Sequence, residues 1–317
     1  MQATEHPPRW KILLAFAIIY FVWGSTFLAI RVGVREVPPF LLAGIRFFAA
    51  GIILYLWMRA KGVASPTLRE WRSAILLAIL IFVLDYGLLF WAEKRVPSGI
   101  AAVMMATIPV FMVVSEILIL HTQHLTLRLA MALLIGVGGV AVLVSRGVNL
   151  GEVPIETAGA CALLTGAVAW AIASALSRKL QLPASRPMSS AAQMLMGGIL
   201  LAVTAAALGE FHGFRVQEIS LKGWLALSYL TVAGSIIGFT AYVWLLSHES
   251  PTKIGTYAYV NPVVAVVVGH FLGGEAIGLR TMVGTLLVLV SVIVITTTPS
   301  RKRGAAAVHQ EEAVAEQ

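Results

Sequence analysis

Long apolar runs separated by short polar segments make up almost the whole chain. Ten runs reach the length of about 18–25 residues that one bilayer crossing needs. They lack the strict alternation of a barrel strand, and inside lipid each backbone N–H must find a carbonyl within its own segment, which favours helices. The pattern predicts an all-α integral membrane protein with ten transmembrane helices, near residues 11–31, 40–58, 72–92, 98–120, 127–145, 156–176, 188–208, 221–246, 253–272 and 279–297.

Composition supports this interpretation and restricts the partners. Of the 317 residues, 59% are hydrophobic and 12% are charged, against about 25% charged in a typical soluble domain. The net charge of +8 is spread over short clusters between apolar runs, which is typical of loops that face anionic lipid. We therefore expect membrane lipids and a small-molecule substrate as partners, and no nucleic acid.

The distribution of Lys and Arg predicts the orientation. With the amino terminus placed in the cytoplasm, 14 of the 23 basic residues fall in cytoplasmic segments, 8 fall in outer segments and Arg46 lies within a span. Because positive charge concentrates on the cytoplasmic side, both termini are predicted there. The segment 298–317, which opens with Arg301–Arg303, is too polar to bury and is predicted to be a disordered cytoplasmic tail.

Two stretches of the chain match at a constant offset of 153 residues. Trp91 corresponds to Trp244, and Pro109 corresponds to Pro262, a helix-breaking residue within an apolar run. An odd number of five helices in each copy would invert the second copy relative to the first, which is a transporter signature. We therefore predict two inverted five-helix repeats, 11–145 and 156–297; the alternative is that ten apolar helices resemble each other by composition alone.

Several motifs resemble those of a known family. They are W-G-S-T-F-L-A-I-R at 23–31, P-P-F-L-L-A-G-I-R-F at 38–47, V-P-S-G-I-A-A-V at 96–103 and Y-A-Y-V-N-P-V-V-A-V at 257–266. In order and spacing they look like EamA-type members of the drug/metabolite transporter superfamily, and most like its YedA-like exporters. The resemblance covers about 11–297.

The resemblance implies a fold and an activity. It implies a central cavity lined by the first four helices of each repeat, with the fifth helix more peripheral, and efflux of small metabolites across the bacterial inner membrane. One motif departs from the family pattern. Gly274-Glu275 follows the ninth predicted helix, whereas the matching position after the fourth has His121-Thr122-Gln123, so a symmetric role for this acid is not expected.

Pro109, Pro262, Tyr257 and Asn261 are the first candidates for the transport site. Each proline removes a donor and crowds the carbonyl four residues earlier, so it predicts either a hinge beside the cavity or a static kink. Tyr257 and Asn261 share a helix face and would contact the substrate or hydrogen-bond between helices. Their repeat counterparts are Met104, a candidate cavity residue suited to varied ligands, and Ile108.

Arg46, Asp85 and Glu116 are ionisable residues within the predicted spans, where charges are costly and usually functional. Arg46 and Asp85 are expected at similar depth in the outer half, where they would pair, either for proton or substrate binding or as a fixed link between helices. Their counterparts are the uncharged Gln193 and Gly238. Glu116 is expected nearer the cytoplasmic end, facing water or His121.

Four aromatic and hydroxyl residues complete the candidate cavity, and small residues suggest close helix contacts. Trp23 and Trp170 correspond at an offset of 147 and lie deep enough to line the cavity, together with Ser25 and Thr26. Gly234 and Gly238 form a G-x-x-x-G motif, which permits either internal packing or a homodimer.

We predict a secondary transporter rather than an enzyme. No second deep carboxylate accompanies Asp85, and His270 has no serine partner; Glu116, His121 and His124 straddle a polar turn and make a poor metal site. No catalytic residue, cofactor or metal is therefore predicted. The expected function is export of small organic metabolites, such as amino acids or amphipathic aromatic compounds, by alternating access. The alternatives are a lipid flippase and a channel-like protein that does not transport.

Overall fold

Ten long apolar helices form the structure, a computed structural model that describes residues 7–120, 125–144, 156–246, 248–249 and 256–297. We number them α1 to α10. Nine are long and apolar enough to cross a bilayer and α9 is shorter. The helices are α1 (Arg9–Gly33), α2 (Pro39–Ala60), α3 (Leu68–Ala92), α4 (Ser98–Leu120), α5 (Leu127–Val144), α6 (Thr157–Ser177), α7 (Arg186–Ala207), α8 (Leu221–Leu245), α9 (Tyr257–Phe271) and α10 (Leu279–Thr296). A 3₁₀ turn, Val216–Glu218, precedes α8.

Four helices contain π-helical segments, at Ile18–Val22 in α1, Ile79–Gly87 in α3, Glu116–Leu120 in α4 and Leu230–Ile237 in α8. A π segment widens the helix and changes the direction of the side chains that follow it, and such segments are frequent at functional sites. The segments of α3 and α8 occupy matching places in the two halves. Both halves therefore carry the same irregularity on corresponding helices.

The helices pack in symmetric pairs, as expected for inverted repeats. Helix α2 packs on α7, α4 on α9 and α5 on α10, so three of the five helices of each repeat contact their own counterparts. The remaining major contacts also occur in matched pairs: α3 with α6 as α8 with α1, and α4 with α6 as α9 with α1. The predicted architecture of ten transmembrane helices in two inverted five-helix repeats is confirmed.

Glycines allow the counterpart helices to approach closely. A Cβ on Gly51 of α2 would lie 2.5 Å from the backbone nitrogen of Leu195, and a Cβ on Gly198 of α7 would lie 2.4 Å from that of Phe48. Gly51 and Gly198 are separated by the repeat offset of 147, so the same contact is made twice around the two-fold axis. Without a hydrophobic force between helices in lipid, such backbone contacts supply much of the packing.

The two ends of the bundle differ in which groups accept hydrogen bonds from the free backbone N–H groups at the helix amino termini. At the amino-terminal ends of α2, α4 and α8, a backbone N–H donates to a carboxylate of the other half. The Leu41 N–H donates to Glu210 at 2.8 Å, the Ser98 N–H to Glu275 at 2.7 Å, and the Ser220 N–H to Glu36 at 2.8 Å. Anions are favoured there by the helix dipole. We call this the capped end.

At the opposite end, the free N–H groups at the helix amino termini bond to side chains that are close in sequence. Thr67 and Glu70 form a capping box at the start of α3, and Ser185 caps α7. An ion pair also joins the two halves there, between Glu116 and Arg178 at 3.0 Å. Only at the capped end, among the helices named here, do carboxylates of one repeat cap helices of the other.

The two prolines have different effects. Helix α4 is interrupted at Ala106–Thr107, immediately before the segment that contains Pro109. The Thr107 hydroxyl donates to the backbone carbonyl of Met104 at 2.6 Å at this break. Helix α9 runs continuously through Pro262. The predicted break is therefore present in α4, whereas in α9 the proline is accommodated within the helix. The predicted tail, 298–317, lies outside the described residues.

Candidate functional site

A cavity of about 310 Å³ lies between the two halves. It is lined by α1–α4 and α6–α9, with no contribution from the described parts of α5 and α10, as the family resemblance implied. Its size lies at the lower end of small-molecule sites. Most of the wall is apolar; its polar and aromatic lining residues are Trp23, Thr26, Arg46, Asp85, Tyr86, Trp170, Ser190, Gln193, Ser235, Tyr242, Tyr257 and Asn261, with Phe27, Phe47, Phe82 and Phe239.

Arg46 is the cation of this cavity. Its side chain is 3% exposed, and its Nε donates to the Ser235 hydroxyl of α8 at 2.9 Å. The guanidinium carbon lies 4.6 Å from the ring centre of Phe47 and 5.6 Å from that of Tyr86. Its Nη1 has no hydrogen-bond partner in the described part of the chain. A buried guanidinium with an unused donor is suited to bind an anionic group.

Asp85 is the anion of the cavity, carried by the π segment of α3. It is 2% exposed, and its Oδ1 finds no hydrogen-bond partner among the described residues. Gly166 of α6 makes room for it, because a Cβ there would lie 3.1 Å from Oδ1. An unpaired carboxylate at membrane depth is costly, so its retention calls for a cation or a proton as partner.

Arg46 and Asp85 line the same cavity, but the predicted pairing between them is wrong in this conformation. No ion pair joins the two among the residues the structure describes. Arg46 is instead directed to the aromatic rings and to Ser235, which lies in the π segment of α8. The two opposite charges therefore stand in one cavity without neutralising each other.

Three aromatic side chains form one wall of the cavity. The Trp23 ring lies 5.4 Å from the rings of Tyr242 and Tyr257, edge-on to the latter. Its Nε1 donates to the Gly234 carbonyl at 3.0 Å, which fixes the indole across the two halves. Trp170, its repeat counterpart, meets Tyr86 edge-on at 6.1 Å. These rings offer an apolar surface for a flat or aromatic substrate.

Asn261 lines the cavity but also bonds to the first helix. With its amide nitrogen turned toward α1, it donates to the carbonyls of Ile19 and Tyr20, both at 3.2 Å. These two carbonyls belong to the π segment of α1. The hydrogen-bonding alternative therefore accounts for the amide nitrogen of Asn261, while Tyr257 lies beside it on the aromatic wall.

Two predicted cavity residues are placed elsewhere. The Ser25 hydroxyl bonds to the Tyr229 hydroxyl at 2.7 Å and to the Phe21 carbonyl at 2.6 Å, so it joins α1 to α8. Met104 is fully buried in the apolar core, and Met105 and Met112 line the cavity instead. The remaining candidates, Trp23, Thr26, Arg46, Asp85, Trp170, Tyr257, Asn261, Pro109 and Pro262, all line it.

Five further residues with polar side chains line the cavity and were not among the site residues predicted from the sequence. They are Tyr86, Ser190, Gln193, Ser235 and Tyr242. Tyr86 and Gln193 had signals, because Tyr86 follows Asp85 and Gln193 is the repeat counterpart of Arg46. Ser190, Ser235 and Tyr242 follow no motif; their direction depends on helix rotation and on the π segment of α8.

Glu116 lies away from the cavity. It forms the ion pair with Arg178 already described, and its side chain is partly exposed; a contact with His121 stays a prediction. His121 and His124 lie outside the described residues. Within the described residues no cluster of potential metal ligands is present.

Comparison with known proteins supports a transporter. The model of the EamA-like transporter family matches residues 9–145 and, again, 157–297. The chain is 37% identical over 285 residues to the "Uncharacterized inner membrane transporter YedA" of Escherichia coli K12, covering 89% of each chain. It is 26% identical over 278 residues to "Protein PagO" of Salmonella typhimurium, covering 86% of this chain and 88% of that one.

More distant matches agree in fold. The "Uncharacterized transporter YvbV" of Bacillus subtilis is 25% identical over 304 residues, with 94% of this chain and 95% of that one covered. A crystal structure at 21% identity has a TM-score of 0.61 and covers 91% of this chain and 98% of its own, which supports the fold alone. Two family matches, ten helices in inverted repeats and a cavity between them lead to one conclusion. The chain belongs to the EamA-like transporter family and is a membrane transporter.

Proposed function

We propose that this transporter exports small organic metabolites that carry a carboxylate, an amine and an apolar body, by alternating access. The observation that carries the proposal is the pair of unmatched charges in one cavity: Arg46 Nη1 and Asp85 Oδ1 are both buried and both without a hydrogen-bond partner in the described chain. A zwitterion would satisfy both groups at once, whereas an uncharged compound would leave both unsatisfied.

The cavity walls set the expected binding mode. The carboxylate would meet Arg46, where a planar guanidinium gives directional hydrogen bonds. The amine would meet Asp85, and the apolar body would lie on the rings of Trp23, Tyr242 and Tyr257. Amino acids with aromatic or large apolar side chains have this combination.

Inverted repeats provide the mechanism. Because the two halves are related by an axis in the membrane plane, exchanging their conformations closes one end of the bundle and opens the other. The capped end is closed in this structure between α4 and α9: a Cβ on Gly99 would lie 3.0 Å from the Cα of Val266. The break beside Pro109 is the expected bending point, with Pro262 as its less distorted counterpart.

We further propose the bacterial inner membrane as the location, with both termini in the cytoplasm and the capped end facing outward. The excess of Lys and Arg on the other side supports this orientation. In this proposal the protein catalyses no reaction and needs no cofactor. A homodimer stays a prediction, as do the limits of the two repeats and the contacts with lipids.

Three related compounds test the substrate proposal: phenylalanine, 3-phenylpropanoate, which lacks the amine, and phenethylamine, which lacks the carboxylate. Counterflow into proteoliposomes is measured for each. Since a hydrogen bond to a charged group contributes about 1.5–3 kcal/mol, each truncation is expected to lower uptake about 10- to 150-fold. A cavity that selects organic cations would transport phenethylamine best, and a cavity that selects organic acids would transport 3-phenylpropanoate best.

The alternatives are tested in the same vesicles. Scrambling of a fluorescent lipid would indicate a flippase, and a steady current at fixed voltage would indicate a channel. Protein with Arg46→Gln is the matched control, because it removes the cation and introduces the residue that the second repeat has at the matching position, Gln193. Equal transport of all three compounds by both proteins would contradict the proposal.

A further inference from the structure

The capped end holds a buried carboxyl group that the transport mechanism above does not use. Glu93 is the first residue after α3 and is 1% exposed. Neither of its carboxylate oxygens has a hydrogen-bond partner within the described part of the chain. Glutamate is almost never fully buried unless it is paired. A buried and unpaired carboxyl group at this position therefore indicates that it binds a ligand.

Arg31 of α1 is the nearest cation, and it is already engaged by Glu275. Its Nε lies 3.3 Å from Glu275 Oε1, an ionic contact without hydrogen-bond geometry. Its Nη1 donates to the backbone carbonyls of Val96 and Glu93, so it holds the α3–α4 turn rather than the Glu93 side chain.

Glu275 links α4 to the segment after α9. Its Oε1 accepts from the Ser98 N–H at 2.7 Å and from the Ser98 hydroxyl at 2.8 Å, and its Oε2 accepts from the Gly99 N–H at 3.0 Å. These bonds fasten the start of α4 to the end of α9. They must break for the two helices to separate at this end.

The charges around Glu93 do not balance if it is ionised. Arg31 faces both Glu93 and Glu275, so one partly buried cation meets two carboxyl groups. Arg95, on the same turn, is occupied by Glu156 at 3.4 Å and stacks on Trp91. Lys94 is exposed to solvent. With Glu93 neutral, Arg31 and Glu275 balance each other.

We propose that Glu93 is a proton-binding site: it takes up a proton from the solution at the capped end when Glu275 closes on Ser98, and it releases the proton when they separate. The ligand is a proton, and its uptake and release rest on the proposed alternating access but not on the identity of the transported substrate. Neutral Glu93 is compatible with the closed arrangement, whereas ionised Glu93 adds an uncompensated negative charge beside Glu275.

The direction of the pH effect follows from the two environments. In the closed arrangement burial raises the pKa of Glu93 well above its usual range; Arg31 lowers it and Glu275 raises it again. In the open arrangement water hydrates the carboxyl, whose ordinary pKa is about 4.3. Between these two values, closing takes up one proton, so acid favours the closed form and alkali the open form. One linked proton changes the ratio of open to closed forms at most about tenfold per pH unit.

A distance measurement in detergent tests this directly. Spin labels are attached through Arg35→Cys and Ala276→Cys, both exposed positions at the capped end, in a Cys161→Ser background. Pulsed dipolar spectroscopy then gives the fraction of molecules with a long distance from about pH 5 to about pH 9. In the parent this fraction is expected to rise with pH, and in Glu93→Gln it is expected to stay low throughout.

Two further variants identify the titrating group. Glu36→Gln removes another carboxylate at the capped end, which binds Ser220 and not Arg31. This variant should show the same pH dependence as the parent. Glu93→Asp keeps a titratable group in an altered position and should shift the pH midpoint. An unshifted midpoint in Glu93→Asp, the same pH dependence in Glu93→Gln, or a parent that does not respond to pH would each overturn the proposal.

Discussion

The two repeats supply the same cavity with different chemistry. The first repeat contributes the charged pair Arg46 and Asp85, and the second has Gln193 and Gly238 at the corresponding positions. The fold is symmetric, because the helix contacts of one repeat recur at the matching places of the other, but the binding surface is not. Symmetry in the backbone therefore serves the movement between states, whereas asymmetry in the side chains serves binding.

Packing explains why only one repeat carries an acid at this place. At Gly238 a Cβ would lie 2.5 Å from Trp23 Nε1, so the indole occupies the space that a side chain would need. At Asp85 the neighbouring residue on α6 is Gly166, which leaves room for the carboxyl group. A side chain on α3 is thus matched by a glycine on α6, and a glycine on α8 by a tryptophan on α1.

Arg46 of α2 and its counterpart Gln193 of α7 also differ in what they contact. Arg46 reaches the other repeat through Ser235 at 2.9 Å. Gln193 donates to Ser189 of its own helix at 3.1 Å. The first repeat therefore presents unsatisfied charge to the cavity, while the second presents a polar group that is already bonded.

The largest expected effect comes from removing the cation. Arg46→Gln gives the first repeat the residue of the second, and transport of a carboxylate-bearing substrate should fall about 10- to 150-fold, the range of a charged hydrogen bond. Initial rates of uptake in proteoliposomes measure it. Gln193→Ala, at the matched position of the other repeat, should change the rate only a few-fold. Equal losses in the two variants would show that the charge asymmetry has no role.

Removing the acid should separate activity from stability. Since no ion pair holds Asp85 among the described residues, Asp85→Asn should keep or raise the melting temperature, while transport falls by about tenfold or more. A charge at the bilayer centre costs about 2.5–3.5 kcal/mol on insertion scales, so neutralising it does not destabilise the protein.

The double variant Asp85→Asn with Arg46→Gln sharpens this test. It should be as stable as the parent and inactive. A marked loss of stability in Asp85→Asn that the double variant restores, together with transport, would instead support a structural pair that forms in another conformation. A fully active and stable Asp85→Asn protein would contradict both roles.

A methyl group at Gly238 tests the packing argument. Gly238→Ala should destabilise the protein by about 1–3 kcal/mol, the usual cost of overpacking, because the new Cβ meets Trp23 Nε1. Thermal unfolding in detergent measures it. Gly138→Ala on α5 is the matched control, since nothing lies within 4 Å of the added Cβ. If both substitutions have the same effect, Trp23 is not the obstacle.

The smallest expected effect concerns Asn261. Asn261→Ala removes its two interhelical bonds to α1, each worth about 0.6 kcal/mol in a membrane protein, so unfolding should become easier by about 1 kcal/mol. Transport by the surviving folded protein should change little if packing is its main role. A large loss of substrate affinity at unchanged stability would support the ligand role instead.

The sequence by itself determined the class, the helices and the repeat. Apolar runs of bilayer length leave helices as the available structure, and the matching of Trp91 with Trp244 and of Pro109 with Pro262 indicated the duplication. Depth was also predictable, because position along a helix gives it directly. Arg46, Asp85 and Tyr257 therefore appeared in the predicted cavity before any contact was known.

Only the tertiary structure decided which side of each helix faces the cavity. A π segment changes the direction of the side chains in it and after it. Ser25, which follows the π segment of α1, bonds to Tyr229, and Arg46 bonds to Ser235 in the π segment of α8 rather than to Asp85. On α4, Met105 rather than Met104 lines the cavity. The sequence pattern repeats every 3.6 residues and does not record such rotations. The buried position of Glu93 was equally invisible, because it depends on how the α3–α4 turn packs, next to Arg31 and Glu275 from distant parts of the chain.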